Sequence, residues 1–459
     1  MPILLAIILA CGGAEDTADE RLASASITDA RAVPSDVMPT AVTVSWRSSA
    51  PGVGWVVYRE GSRERWSPEG DVGSDHSVEL VGLAADTTYS WQAVTRLDDG
   101  TEVRTDEAQL SVAAPPAELP RFDRSIYEPG SMADATFYLV LSLGGLDASY
   151  AAIIDESGRY VWWLEADPSH DVVIAEPALD GTSVLTLQND KTALLGPAVI
   201  HRHSLGGRLL DSYPIDAAHH DFAEHPDGTL ASLVYETRTM VVPDIHDEPI
   251  LLGSDGIAVV GAGQRFSLLD DFGSDPWHVC SHVTEADAGI DAEWAHSNSL
   301  IYEPVSGLWW MMARNLDAIL GVEPTTGAVV WQLGGLESDF EVEQPFDHGH
   351  MSDVWDGGMM VFDNQLHGGP SRVTEYAVDI QARTADEVWT YTDPFGRTSA
   401  FLGDADKIQD DRYLVVWSPY GQIEEVDASG SALFRLEAEH GNVARVTRLV
   451  SLEPSGSSD

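Results

Sequence analysis

Four places in this 459-residue sequence set an imidazole or guanidinium group where an alternating apolar run begins, or inside one. His220 opens HDFAEHPDGTLASLVYE and His296 opens HSNSLIYE. Arg314 lies in WWMMARNLDAI, and His348-Gly349-His350 precedes MSDVWDGGMMVFDN. Neutral imidazole is a competent nucleophile and base near neutral pH, because its unperturbed pKa is about 6.5. An arginine after four apolar residues is a costly burial unless an anion accompanies it. Together these residues are what a site that handles an anion needs. Taken singly, each has an ordinary explanation: a strand histidine satisfied by a hydrogen bond, or an arginine paired with an internal carboxylate such as Asp317. Convergence in one place is what would give the set a chemical meaning.

The elements that must bring them together are strands. From about residue 120 a unit of polar or glycine residues followed by an aromatic strand recurs: DESGRYVWWLE (155–165), HSLGGRLLDSY (203–213), EPTTGAVVWQL (323–333), QARTADEVWTY (381–391) and DASGSALFRLE (427–437). A degenerate copy lies at GAGQRFSLLDDF (261–272). Turn-then-strand units of this kind are the outer hairpins of propeller blades, and six over residues 120–440 give blades slightly longer than the usual ~40–50 residues. No long segment has helical periodicity, so the expected fold is all-β, a six-bladed β-propeller whose inner strands aim their first residues at a central channel. Trp162, Trp163, Trp309, Trp310 and Trp355 read best as blade packing.

Ahead of the propeller, residues 27–114 read as a small β-sandwich. VTVSW (42–46) and GWVVYRE (54–60) read as two strands, and Leu83…Thr87-x-Tyr89 within VELVGLAADTTYSWQAVTR resembles the tyrosine corner of fibronectin type III domains. Pro-rich AAPPAELP (113–120) marks a boundary. The start, MPILLAIILACGG, resembles a bacterial lipoprotein signal in which Cys11 becomes the lipidated N-terminus, although it lacks an early Lys or Arg. The run is shorter than the ~20 apolar residues a spanning helix needs. The expected organisation is a signal and tether over 1–26, the fibronectin-like sandwich over 27–114, a linker over 115–120 and the propeller over 121–459. Cys280, the other cysteine, is expected to pack as a small apolar residue. Contact with the membrane would come from the lipid anchor alone, with the protein at the cell envelope or exported.

Acidic residues number 75 against 25 basic, for a net charge of −50. Phosphate contacts need clustered Lys and Arg, so a general nucleic-acid binder is excluded. No run matches an EF-hand loop. The acidity fits a solvated surface.

HDF…PDG (220–228), H-S-N-S (296–299), A-R-N…I (313–319), T-T-G-x-x-x-W-x-L-G (325–334) and H…DG…VFDN (350–364) resemble the bacterial arylsulfotransferases, in the same order and with similar spacing. The resemblance implies an exported six-bladed propeller. It would move a sulfuryl group from a phenyl sulfate to a phenol through a transiently sulfated histidine, without a nucleotide donor, cofactor or metal. By motif it assigns His220, His296 and Arg314 to sulfate binding and transition-state stabilisation. It places the nucleophile just before DG…VFDN: His350 by the count to Gly358, with His348 as the alternative by its spacing from Phe346. The partners implied are an aryl sulfate donor and a phenolic acceptor, and a homodimer is compatible with the sequence. The competing reading is a non-catalytic surface propeller for binding or adhesion, with structural histidines. A quinone-cofactor propeller is disfavoured by six blades and the lack of a vicinal cysteine pair.

Overall fold

The structure, a computed structural model, describes residues 25–193, 195–242, 246–272 and 290–452. Cys11 and Cys280 lie outside the described residues. Two compact units partition the chain: Met1–Ser35, Ala41–Leu80 and Asp86–Val112 form one, and Asp36–Thr40, Val81–Ala85 and Ala113–Asp459 the other.

The first unit is an antiparallel assembly of seven strands around Val42–Glu60. That strand is continuous, where the sequence suggested two strands at 42–46 and 54–60. Its first part pairs with Ile27–Pro34 and Gly73–Leu80, and its second with Thr88–Leu97 and Arg63–Trp66. The change of partner falls at a register shift between Arg47 and Gly52. Glycine permits it: a Cβ on Gly54 would come within 2.6 Å of both Trp46 and His76.

The second unit is a six-bladed β-propeller. The inner strands, from blade I to blade VI, are Asn442–Leu449, His170–Pro177, Ala218–Glu224, Ser297–Glu303, Gly349–Trp355 and Asp404–Gln409. Each pairs with the next strand of its sheet, and each inner strand packs against those of the adjacent blades. The ring is closed twice by hydrogen-bonded strands. The C-terminal Asn442–Leu449 supplies the inner strand of blade I beside Tyr138–Gly144, and Phe122–Tyr127 supplies an outermost strand of blade VI beside Ala432–Ala438.

All six repeat units are outer hairpins, ending on Tyr160–Glu165, Leu209–Asp216, Gln264–Ser267, Val329–Gly334, Thr384–Thr392 and Ala432–Ala438. An acidic residue organises several of the turns. Asp155 Oδ1 accepts from the Ser157 and Arg159 amides, Asp379 Oδ1 from Gln381 and Ala382, and Asp427 Oδ1 from Ser429 and Ser431. Asx turns of this kind fix the chain reversal locally. Some of the chain's acidity is therefore turn chemistry. In two of the hairpins the tryptophan that follows packs inward, Trp162 at 1% and Trp331 at 3% exposed, and Trp310 (1%) and Trp309 (4%) on the strand Leu308–Ala313 are buried as well.

Candidate active site

The inner strands of three consecutive blades begin alike. His220 (φ 51°), His296 (φ 46°) and His348 (φ 52°) all take left-handed backbone conformations. A non-glycine residue gives up ~1–2 kcal/mol to stand there. The surroundings must fix each one, and such outliers concentrate at functional sites. In blade III the strand register shifts between Ala218 and Phe222, around His220; in blade IV it shifts between Ser297 and Ser299, just past His296.

Arg314 does not lie on the strand where the sequence placed it. Leu308–Ala313 ends one residue earlier, and Arg314–Leu316 is a 3-10 turn closed by Asp317 at φ 50°. The turn brings Arg314 back beside the start of its own blade's inner strand, where its amide donates to the His296 carbonyl at 3.3 Å. Its Nη1 donates to Asn315 Oδ1 at 2.9 Å.

His220 and His296 meet with ring centroids 5.0 Å apart. His350, on the inner strand of blade V, joins the same electrostatic neighbourhood. Burial, then His296 and Arg314, push its pKa down to about 3, against an opposing hydrogen bond to the Gly403 backbone carbonyl. His220 is pushed well below its ordinary value by burial and then by His219, His296, His350 and Arg314. The residue as a whole is nevertheless only half-buried. His350 Nδ1 is buried and has no hydrogen-bond partner among the described residues.

The structure thus brings together His220, His296, Arg314 and His350. His348 belongs elsewhere. It is fully buried, with Nδ1 2.5 Å from Asp347 Oδ1 and 3.5 Å from Asp317 Oδ1, and its ring packs edge-on against His367.

Several supporting residues escaped the sequence reading. Glu293 Oε2 lies 2.8 Å from His296 Nδ1. His219 Nδ1 lies 2.7 Å from His220 Nδ1, while its Nε2 comes within 3.1 Å of Asp255 Oδ1, close enough for charge pairing but not aligned as a hydrogen bond. Asp255 Oδ2 also accepts from the Ser297 amide at 2.8 Å. The motif asparagines are staples: Asn298 Nδ2 donates to the Gly349 carbonyl, Asn315 Nδ2 to Glu293, and Asn364 Nδ2 to Ser399 and Leu402. The doublet His219-His220 and the spacing Glu293-x-x-His296 were visible signals. Asp255 offered none among so many acids.

Farther along the same inner strands the chemistry reverses. Arg445 reaches Glu176 and, at 3.1 Å, Asp221. Burial, foremost, raises the pKa of Asp221 to about 7 and those of Asp353 and Asp404 to about 6, and lifts Asp406 well above the carboxylate range. A cavity of about 690 Å³ opens at this level, lined by Glu176, Phe222, Leu300, Asp353, Asp406 and Arg445 among others.

Residues 128–348 match the family model described as Arylsulfotransferase (ASST). No curated protein matches the chain. Similar solved structures include a protein of unknown function from Bacteroides caccae (12% identity, 69% of this chain and 99% of that one, TM-score 0.43) and one from Bacteroides thetaiotaomicron (13%, 90% and 98%, TM-score 0.34). AztD from Citrobacter koseri is similar at 12% identity over 87% of this chain and 98% of its own, with TM-score 0.31. None of these structural likenesses bears on the site.

Proposed function

We propose, for a chain that belongs to the arylsulfotransferase family over residues 128–348, that it moves a sulfuryl group from an aryl sulfate ester to a phenol through a sulfated His350. The observation that carries this reading is the convergence of His220, His296 and Arg314 on a buried His350 whose Nδ1 is left without a partner.

In the first step a lone pair on the neutral His350 imidazole attacks sulfur. An N–S bond forms, the S–O bond to the aryl group breaks, and the electron pair leaves on the aryl oxide. Charge spreads over the three remaining sulfuryl oxygens, by analogy with phosphoryl transfer. Arg314 and the neighbouring imidazoles supply donors for it. One such charge contact at ~4 Å and an effective dielectric near 20 is worth about 4 kcal/mol before desolvation. In the second step the acceptor phenol oxygen attacks sulfur and the N–S bond breaks. The phenolic proton passes to His220 or His296 acting as general base, and Glu293 and the His219–Asp255 pair orient those rings.

The test is mass spectrometry after mixing the protein with a chromogenic aryl sulfate and no acceptor. The expected result is one added sulfuryl group on a peptide containing residues 346–353, located on His350 by fragmentation and absent from His350→Ala. Label on His348 would reassign the nucleophile. No label and no turnover with any aryl sulfate would return the propeller to a binding or adhesion role.

The remaining proposals concern placement. Cys11 is the lipidated residue of a cell-envelope protein, and the first unit is fibronectin-like. Metabolic labelling with a lipid analogue that persists in Cys11→Ser would refute the anchor.

A further inference from the structure

The histidine that the sulfuryl-transfer reading leaves spare stands in a cluster of its own. Asp317, Asp347, His348 and His367 each offer one ligand atom, and these atoms all lie within 4.8 Å of one another. His348 Nδ1 is 2.5 Å from Asp347 Oδ1 and 3.5 Å from Asp317 Oδ1, and His367 Nδ1 is 3.1 Å from Asp347 Oδ2. The four come from three segments of chain: the turn that ends at Asp317 in blade IV, the entry to blade V, and the loop after Gly358–Asp363.

The backbone holds them there. The His348 amide donates to Asp317 Oδ1 at 2.7 Å, the His367 amide to Asp347 Oδ2 at 2.8 Å, and the Asp347 amide to Asp363 Oδ1 at 2.9 Å. His348 is fully buried against two carboxylates that are themselves 14% and 19% exposed, whereas His367 is 45% exposed. The buried side therefore presents preset donors, and the outer ligand leaves an entry path.

We propose that Asp317, Asp347, His348 and His367 bind one divalent transition-metal ion, with Zn²⁺ the best match. Two imidazole nitrogens and two carboxylate oxygens are a borderline donor set that suits Zn²⁺ in four-coordinate geometry and suits Ca²⁺ or Mg²⁺ poorly. The charge balances as well, because a divalent cation cancels two carboxylates and leaves both imidazoles neutral. Bound metal would clamp blade IV to blade V at Asp317, three residues from Arg314. The site is independent of the sulfuryl-transfer reading.

The test uses untagged protein stripped with chelator, titrated calorimetrically with Zn²⁺ near neutral pH, with Mg²⁺ and Ca²⁺ as controls. One equivalent of Zn²⁺ is expected to bind and to raise the melting temperature. His367→Ala, a change at a half-exposed position, should lower the affinity by more than ~100-fold, since even outer-sphere partners are worth ~10–100-fold. It should also abolish the thermal shift, and Asp347→Asn provides a second variant. No Zn²⁺ binding by the wild-type protein, or equal affinity in His367→Ala, would overturn the site. Because the readouts are binding and melting, a failure here is separable from a failure of sulfuryl transfer.

Discussion

Two layers share the inner strands of the propeller and differ in almost every physical respect. At the strand starts, His220, His296, Arg314 and His350 form a layer of imidazoles and one cation, with strained backbone and a buried ring nitrogen that has no partner. One to a few residues farther along, Asp221, Asp353, Asp404, Asp406 and Glu176 surround Arg445. The first layer carries unmet hydrogen-bonding capacity, which is what a ligand supplies. In the second the guanidinium is already answered by carboxylates. The same residue type therefore stands in two settings, Arg314 beside the imidazoles of the proposed sulfuryl site and Arg445 among carboxylates built into the fold.

Exchanging the two arginines for glutamine gives the largest expected effects and would break the comparison most directly. Arg314→Gln should lower kcat/KM by ~10²–10³-fold, the usual consequence of removing one donor to a developing anion, with little change in denaturant midpoint. Arg445→Gln should do the reverse and cost about 3–5 kcal/mol of stability, because it leaves buried carboxylates without their cation. Equilibrium unfolding and aryl sulfate kinetics on both variants decide it. A stable Arg445→Gln protein, or an Arg314→Gln protein that turns over normally, would show that the layers are not divided this way.

The sequence made one side of this comparison far more legible than the other. A histidine opening an apolar run stands out, and so does an arginine after four apolar residues. The turn units with their acidic or glycine punctuation showed six blades, because their reversals are encoded locally, as at Asp155 and Asp427. Arg445 and its carboxylates are spread from Glu176 to Arg445, and only ring closure by the C-terminal strand brings them together. Asp255 was one of 75 acids and carried no signal of its pairing with His219. Spacing left His348 and His350 as alternatives, and only three-dimensional packing sends their rings to different neighbours. The continuous strand Val42–Glu60 was missed for a related reason: VTVSW and GWVVYRE read as separate strands, and only the pairing shows one strand that changes partners along its length.

Acidity should separate the layers next. For the nucleophile the relevant state is neutral imidazole, and with the folded pKa of His350 near 3 that state persists well below pH 6.5. The acid limb of kcat/KM, which reports the free enzyme, should therefore not show an ionisation at 6.5. The limb of kcat should lie higher, since bound sulfate favours the imidazolium. The carboxylate layer has the opposite sign. Asp404 is raised to about 6 in the folded state, chiefly by burial, so its contribution to stability is present below its unfolded value and is lost as pH rises through 6. Asp404→Asn keeps an acceptor for the Val446 amide and removes that titration. Its stability relative to wild type should improve steadily between pH 4 and 7. A difference that does not change with pH would mean that Asp404 titrates normally.

Salt gives the smallest effect, and its sign is diagnostic. A chain with net charge −50 repels an aryl sulfate anion at long range, while the only attraction postulated for it is short-range contact with Arg314 and the imidazoles. Added salt shortens the Debye length from ~10 Å at 0.1 M to ~3 Å at 1 M and screens exposed charges much more than enclosed ones. Repulsion during approach should fade while the contact at the site survives. kcat/KM should therefore rise ~2–10-fold over that range, at or below the ~10–10³-fold by which surface fields alter capture rates. kcat at saturating donor should hardly move, because approach no longer limits it. A fall in kcat/KM would require a long-range positive field at the channel mouth, and the basic residues of the histidine layer would then have to outweigh the acidic surface at a distance as well as in contact.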